Sequence, residues 1–100
     1  MSTFVDANSI PDGECRPVEV DGDIVAVCNV DGKFYALEGV CPHAGGPLGD
    51  GVLDGNTLTC PWHGWQYDVT SGVCEFNPDV QLGRYRVIVH GDSLEIGPGL

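Results

Sequence analysis

Four side chains in this sequence belong to the residue types that hold transition metals, and their spacing can bring them together. Cys41-x-His43 is followed, after sixteen intervening residues, by Cys60-x2-His63. Two thiolates and two imidazoles make a four-donor set. Zinc accepts such a set, but its usual spacings pair cysteine with cysteine and histidine with histidine. Here each short element mixes one cysteine and one histidine. A binuclear iron–sulfur cluster needs two donors per iron, and thiolates suit iron bound to sulfide. If each element supplies one donor of each kind, one iron can take both cysteines and the other both histidines. The pattern therefore favours a [2Fe–2S] cluster. A zinc ion, or two ordinary loop histidines, are the competing readings.

The elements around these residues must be loops. Residues 41–49 read CPHAGGPLG and residues 60–65 read CPWHGW. Their proline and glycine content excludes a strand interior. Each follows a strand-like run, so each sits at a strand end. Val52-Leu53 and Thr57-Leu58-Thr59 flank Asp54-Gly55-Asn56, a tight hairpin that would set the two loops side by side. Elsewhere no stretch keeps apolar residues at helical spacing for three turns. Short β-branched and aromatic runs recur instead: Cys15 to Val20, Ile24 to Val30 and Phe34 to Leu37. Asp21-Gly22 and Asp31-Gly32 between them suit type I′ turns, whose central residues need positive φ. Gln66 to Val69 and Val73 to Phe76 flank Thr70-Ser71-Gly72. Arg84 to His90 and Leu94 to Ile96 form a closing hairpin around Gly91-Asp92. About ten short strands are expected, hence an all-β antiparallel sandwich or barrel. Residues 1–100 are expected to be one domain, with a cluster-binding subdomain of two loops over about 39–80.

Fifteen acids against four bases give a formal charge of −11. Like charge makes nucleic acid an improbable ligand. No apolar run is long enough to span a membrane. The first residues lack the basic start and apolar core of a leader, so the chain reads as cytoplasmic. Five cysteines are an odd number, unlike the even framework of a small secreted domain. Cys15, Cys28 and Cys74 are therefore expected to be small buried apolar residues.

Residues 41–72, CPHAGGPLGDGVLDGNTLTCPWHGWQYDVTSG, resemble the cluster-binding region of the Rieske family, and the resemblance extends over roughly residues 20 to 97. It implies the Rieske fold and one [2Fe–2S] cluster per chain. It implies that Cys41 and Cys60 bind the inner iron, and His43 and His63 the outer one near the surface. His90 matches no ligand position and reads as structural. High-potential members join the loops by a disulfide, and Gly46 and Trp62 stand at those positions here. Their serine donor to a bridging sulfide corresponds to Trp65, while their tyrosine donor to a cysteine sulfur is matched by Tyr67. Hydrogen bonds to the sulfurs favour the reduced cluster. The missing serine therefore places the potential at the low end of the Rieske range, about −150 to +300 mV. Gly45, Gly46 and Gly64 are expected to let backbone amides approach the sulfides. Pro42 and Pro61 stiffen the loops, and Pro78 resembles a third, shielding loop. Trp65 is expected to pack into the core.

The resemblance further implies a soluble carrier that takes single electrons from a flavoprotein reductase to a terminal oxygenase. Docking would be transient, centred on His43 and His63, and made by a monomer. The chain has no dinucleotide fingerprint and too few histidines for a separate mononuclear iron site. It is thus expected to be a component of an oxidoreductase system rather than an enzyme. Two alternatives are a bound small subunit of the nitrite reductase type and a redox sensor.

Overall fold

In the computed structural model, residues 3–41, 45–62 and 64–99 are described, positions 98 and 99 by their backbone alone. Nine strands occur among them: β1 (Thr3–Asp6), β2 (Cys15–Val20), β3 (Asp23–Val30), β4 (Lys33–Glu38), β5 (Val52–Asp54), β6 (Thr57–Thr59), β7 (Gln66–Asp68), β8 (Arg84–His90) and β9 (Ser93–Gly99). The remaining helical pieces are two short 3-10 turns, Ala7–Ser9 and Leu48–Asp50. All strand pairs are antiparallel. The fold class expected from the sequence is the one found.

Hairpins drive the topology. Asp21 and Asp31 both take φ of 52°, followed by Gly22 at 86° and Gly32 at 84°. Two consecutive positive φ values match the twist of adjacent strands, so β2, β3 and β4 fold back on one another without splaying. The six-stranded sheet runs β1-β9-β8-β4-β3-β2, and a second sheet runs β5-β6-β7. All six strands of the larger sheet feed one apolar cluster. Its members include Val20, Val25, Val27, Ala36, Leu94 and Ile96, with Val5 and Val87 packed against it. That convergence requires the sheet to curl like an open barrel.

Strand β3 is buried on both faces. Val25 and Val27 point into the curled sheet. Ala26 and Cys28 point the other way, into a second cluster shared with Leu48, Leu58, Cys41, Cys60 and Tyr67. The period-2 alternation of a strand thus places the small sheet and both cysteine loops against the outer face of β3. This second core fixes where the loops stand.

Two strand expectations need correction. Val73 to Phe76 is not a strand; only isolated bridges, Tyr67 to Cys74 and Val73 to Gln81, remain. The amide of Cys74 donates to the Val80 carbonyl, whereas that of Glu75 donates to Gln66. The segment is divided between two neighbours and builds no ladder with either. Conversely, β1 was not foreseen, because its four residues pair with β9 at the far end of the chain.

The cysteine reading also changes. Cys15 and Cys28 are buried as expected, but they are joined by a disulfide. The β2–β3 register sets them directly opposite each other, with Cα atoms 4.1 Å apart. Cys41, Cys60 and Cys74 are buried and take no part in a disulfide.

Candidate metal centre

Each cysteine loop is closed by the amide of its own cysteine. Cys41 N–H donates to the Gly46 carbonyl at 2.9 Å, and the Cys41 carbonyl accepts from Gly45 at 2.7 Å. Beneath this, Val40 bridges to Pro47 and Leu48 N–H bonds the Gly39 carbonyl. The first loop is therefore the tip of a narrow backbone ladder rising from β4. In the second loop Cys60 N–H donates to the Trp65 carbonyl at 2.7 Å. The pair below it, Thr59 and Gln66, belongs to the β6–β7 ladder. The second loop is thus a hairpin tip. Anchoring each cysteine at a loop neck fixes the direction of its Cα–Cβ bond.

The two thiols meet. Cys41 and Cys60 are both buried, and each thiol neighbours the other. Burial pushes the Cys60 thiol up, the amide of Trp62 pulls it partly back, and the neighbouring Cys41 adds to the rise. The hydroxyl of Tyr67, also buried, lies 3.2 Å from the Cys41 sulfur. Burial first, and then that bond to Cys41, push the Tyr67 phenol above its ordinary range. Tyr67 therefore stays a neutral hydroxyl and can donate to a sulfur that has lost its proton.

Gly46 shows how tightly the loops approach. A Cβ there would stand 2.8 Å from the Cys60 sulfur and 3.0 Å from Cβ and Cγ of Trp62. Only hydrogen fits between the loops at this point. The positions of the missing inter-loop disulfide are thus occupied by a side chain lying on bare backbone.

The other sequence expectations divide clearly. Trp65 packs against the core shared with both cysteines, as expected. Trp62 is instead 51% exposed. Cys74 is buried in that same core, in keeping with its apolar reading. Pro78 sits in an exposed turn closed by Asp79 N–H to Asn77 Oδ1 at 3.0 Å. His90 lies on β8, paired to Glu95 at 2.9 Å. Pro42, His43 and His63 lie outside the described residues. The Trp62 amide aimed at the Cys60 sulfur was not foreseen, since a backbone donor leaves no mark in side-chain types.

The described residues fit a metal–sulfide group. Two buried thiols face one another, a phenol addresses one sulfur, and a backbone amide addresses the other. Two thiolates side by side repel unless a cation lies between them.

Comparison with known proteins agrees with this chemistry. The model of the family described as "Rieske [2Fe-2S] domain" matches residues 2–86. The ferredoxin component of the naphthalene 1,2-dioxygenase system of Pseudomonas aeruginosa is 33% identical over 88 residues, covering 87% of this chain and 85% of that protein. Apoptosis-inducing factor 3 of Mus musculus is 31% identical over 96 residues, or 95% of this chain, but the chain spans only 16% of that protein. Among solved structures, a complex of reduced oxygenase and oxidized ferredoxin in carbazole 1,9a-dioxygenase contains a similar chain. It is 31% identical with a TM-score of 0.83, covering 94% of this chain and 92% of that one.

Proposed function

Because the chain belongs to the Rieske [2Fe–2S] domain family, we propose that it is a one-electron carrier with Cys41 and Cys60 on one iron and His43 and His63 on the other. The observation that carries this reading is the convergence of two buried cysteines, outside any disulfide, at the necks of adjacent loops. The cluster, when bound, accepts one electron and passes one on.

The chain's own residues set the conditions for that exchange. The Tyr67 hydroxyl and the Trp62 amide favour extra negative charge at the sulfurs. The core shared with Leu48 and Leu58 keeps water from the cysteine side. Exposed Trp62, next in sequence to His63, offers a partner an apolar contact at the electron exit.

The partners in this reading are a flavoprotein reductase as donor and a terminal oxygenase as acceptor. The similar ferredoxin component and the ferredoxin–oxygenase complex support the oxygenase as acceptor. Docking around His43 and His63 would bury little area, as suits a transient redox contact. The formal charge of −11 would steer it toward basic surfaces, with a rate that falls as salt rises. The reading takes residues 1–100 as one domain, with the cluster-binding part over about 39–80, acting as a cytoplasmic monomer. Among the described residues no helix is long and apolar enough to cross a membrane.

The test combines metal analysis with transfer kinetics. Two irons and two sulfides per chain are expected, with charge-transfer bands and an EPR signal on reduction. Cys41→Ser and Cys60→Ser should lose them, and Cys74→Ser should keep them. A single zinc ion and no visible bands would end this reading. Co-purification in a fixed complex with a larger subunit would mark the bound-subunit alternative instead.

A further inference from the structure

The Cys15–Cys28 bond lies outside the metal centre, and the electron-carrier reading makes no use of it. It occupies a particular place. Strand β2 is one edge of the six-stranded sheet, so Cys15 has only one neighbouring strand. Cys15, only 4% exposed, also lines an open cleft of about 480 Å³. One side of that cleft is formed by Glu14, Cys15 and Arg16, the other by residues 49–53. The Arg16 guanidinium is held at the rim by Glu14 at 2.7 Å and by the Cys15 carbonyl at 2.8 Å.

The far wall of the cleft continues directly from the first cysteine loop. Leu48 is buried in the same core as Cys15, Cys28 and Cys41. Gly49 rests on β2 so closely that a Cβ would stand 2.6 Å from the Pro17 nitrogen. The disulfide therefore braces the strand on which the tail of that loop rests. Disulfides are uncommon in the reducing compartment that the proposed function takes for this chain, and the inference rests on that reading. A bond placed there, at a sheet edge and beside a cleft, suits a pair that is made and broken.

We propose that Cys15 and Cys28 form a reversible thiol–disulfide site whose state sets how firmly the first cluster loop is held. Its reductant is a dithiol and its oxidant a hydroperoxide. In reduction, one thiolate of the dithiol attacks the Cys15 sulfur from the cleft. The Cys15–Cys28 bond breaks, and the Cys28 sulfur leaves with the bonding pair and takes up a proton. The second thiol of the reductant then displaces Cys15, giving two protein thiols and one external disulfide. In the reverse direction, two protein thiols and one hydroperoxide give the protein disulfide, one alcohol and one water.

Two readouts on the cluster-loaded protein decide this. Aerobic protein quenched in acid, alkylated and weighed should carry three alkyl groups. After dithiothreitol under native conditions it should carry five. Five groups before the dithiol would mean no bond, and three after it would mean an unreachable bond; either result overturns the proposal. The second readout is the bleaching rate of the cluster in chaotrope. Prior reduction should raise it by roughly tenfold, since losing a cross-link returns conformational entropy to the unfolded chain and so favours opening. In the C15A/C28A variant the dithiol should leave the rate unchanged. Equal rates for oxidised and reduced wild-type protein, or the same acceleration in C15A/C28A, would also overturn it.

Discussion

Single atoms tune this centre. The Tyr67 hydroxyl, 3.2 Å from the Cys41 sulfur, stabilises the more negative state of whatever that sulfur binds. In Tyr67→Phe the midpoint potential should fall, by up to roughly 60 mV if the bond contributes about 1.5 kcal/mol. Protein-film voltammetry reads this directly, and an unchanged potential would remove Tyr67 from the tuning set. Gly46→Ala pushes a methyl to 2.8 Å from the Cys60 sulfur. Cluster content should drop, and the thermal midpoint should fall with a cost of about 1–3 kcal/mol. Iron per chain and a melting curve check both effects. At this scale the sequence was informative about side chains and silent about backbone. Spacing singled out Cys41 and Cys60, which the structure brings together, and the motif singled out Tyr67, whose hydroxyl lies beside the Cys41 sulfur. The amides of Cys41, Cys60 and Trp62 do comparable positioning, yet no residue type announces them.

At the level of strands and turns, legibility followed locality. The Asp-Gly turns between β2, β3 and β4 were readable because two adjacent residues determine them. Strand β1 was not, because its partner is ninety residues away in the chain. The same reason hid the disulfide: pairing Cys15 with Cys28 depends on register, and a one-residue slip would separate them. Asn29 shows how one turn is tied to the rest of the sheet. Its Nδ2 donates to the Ile10 carbonyl at 2.8 Å, while its Oδ1 accepts from the Gly32 amide at 2.9 Å. Asn29→Ala should destabilise by about 1–3 kcal/mol through two stranded backbone groups, without altering the visible spectrum. Denaturant titration of the holoprotein measures it. Tyr85 on β8 gives a pH signature. Burial, and then the charges of Asp23 and Glu38, raise its phenol. Its contribution to stability is therefore complete below the ordinary tyrosine range and lost as pH rises through the folded value. The melting temperature should decline above about pH 10, and less steeply in Tyr85→Phe.

For the molecule as a whole, one strand carries two cores. β3 turns Val25 and Val27 into the curled sheet, and Ala26 and Cys28 toward the cysteine loops. The candidate metal centre is thereby mounted on a strand buried on both faces. The recurring β-branched runs point to a core, but only the curl of the sheet reveals that there are two. The pairing of β1 with β9 has a different outcome. Thr3 stands opposite Ile96, so the two outermost strands of the chain lie side by side, with β8 between them and the strand that bears the first loop. Incoming and outgoing polypeptide meet at one corner. The unit can therefore be spliced into a longer chain as a cassette, its flanking segments joined at that corner and its loops undisturbed. That portability suits a sequence whose match spans 85% of one relative and 16% of another.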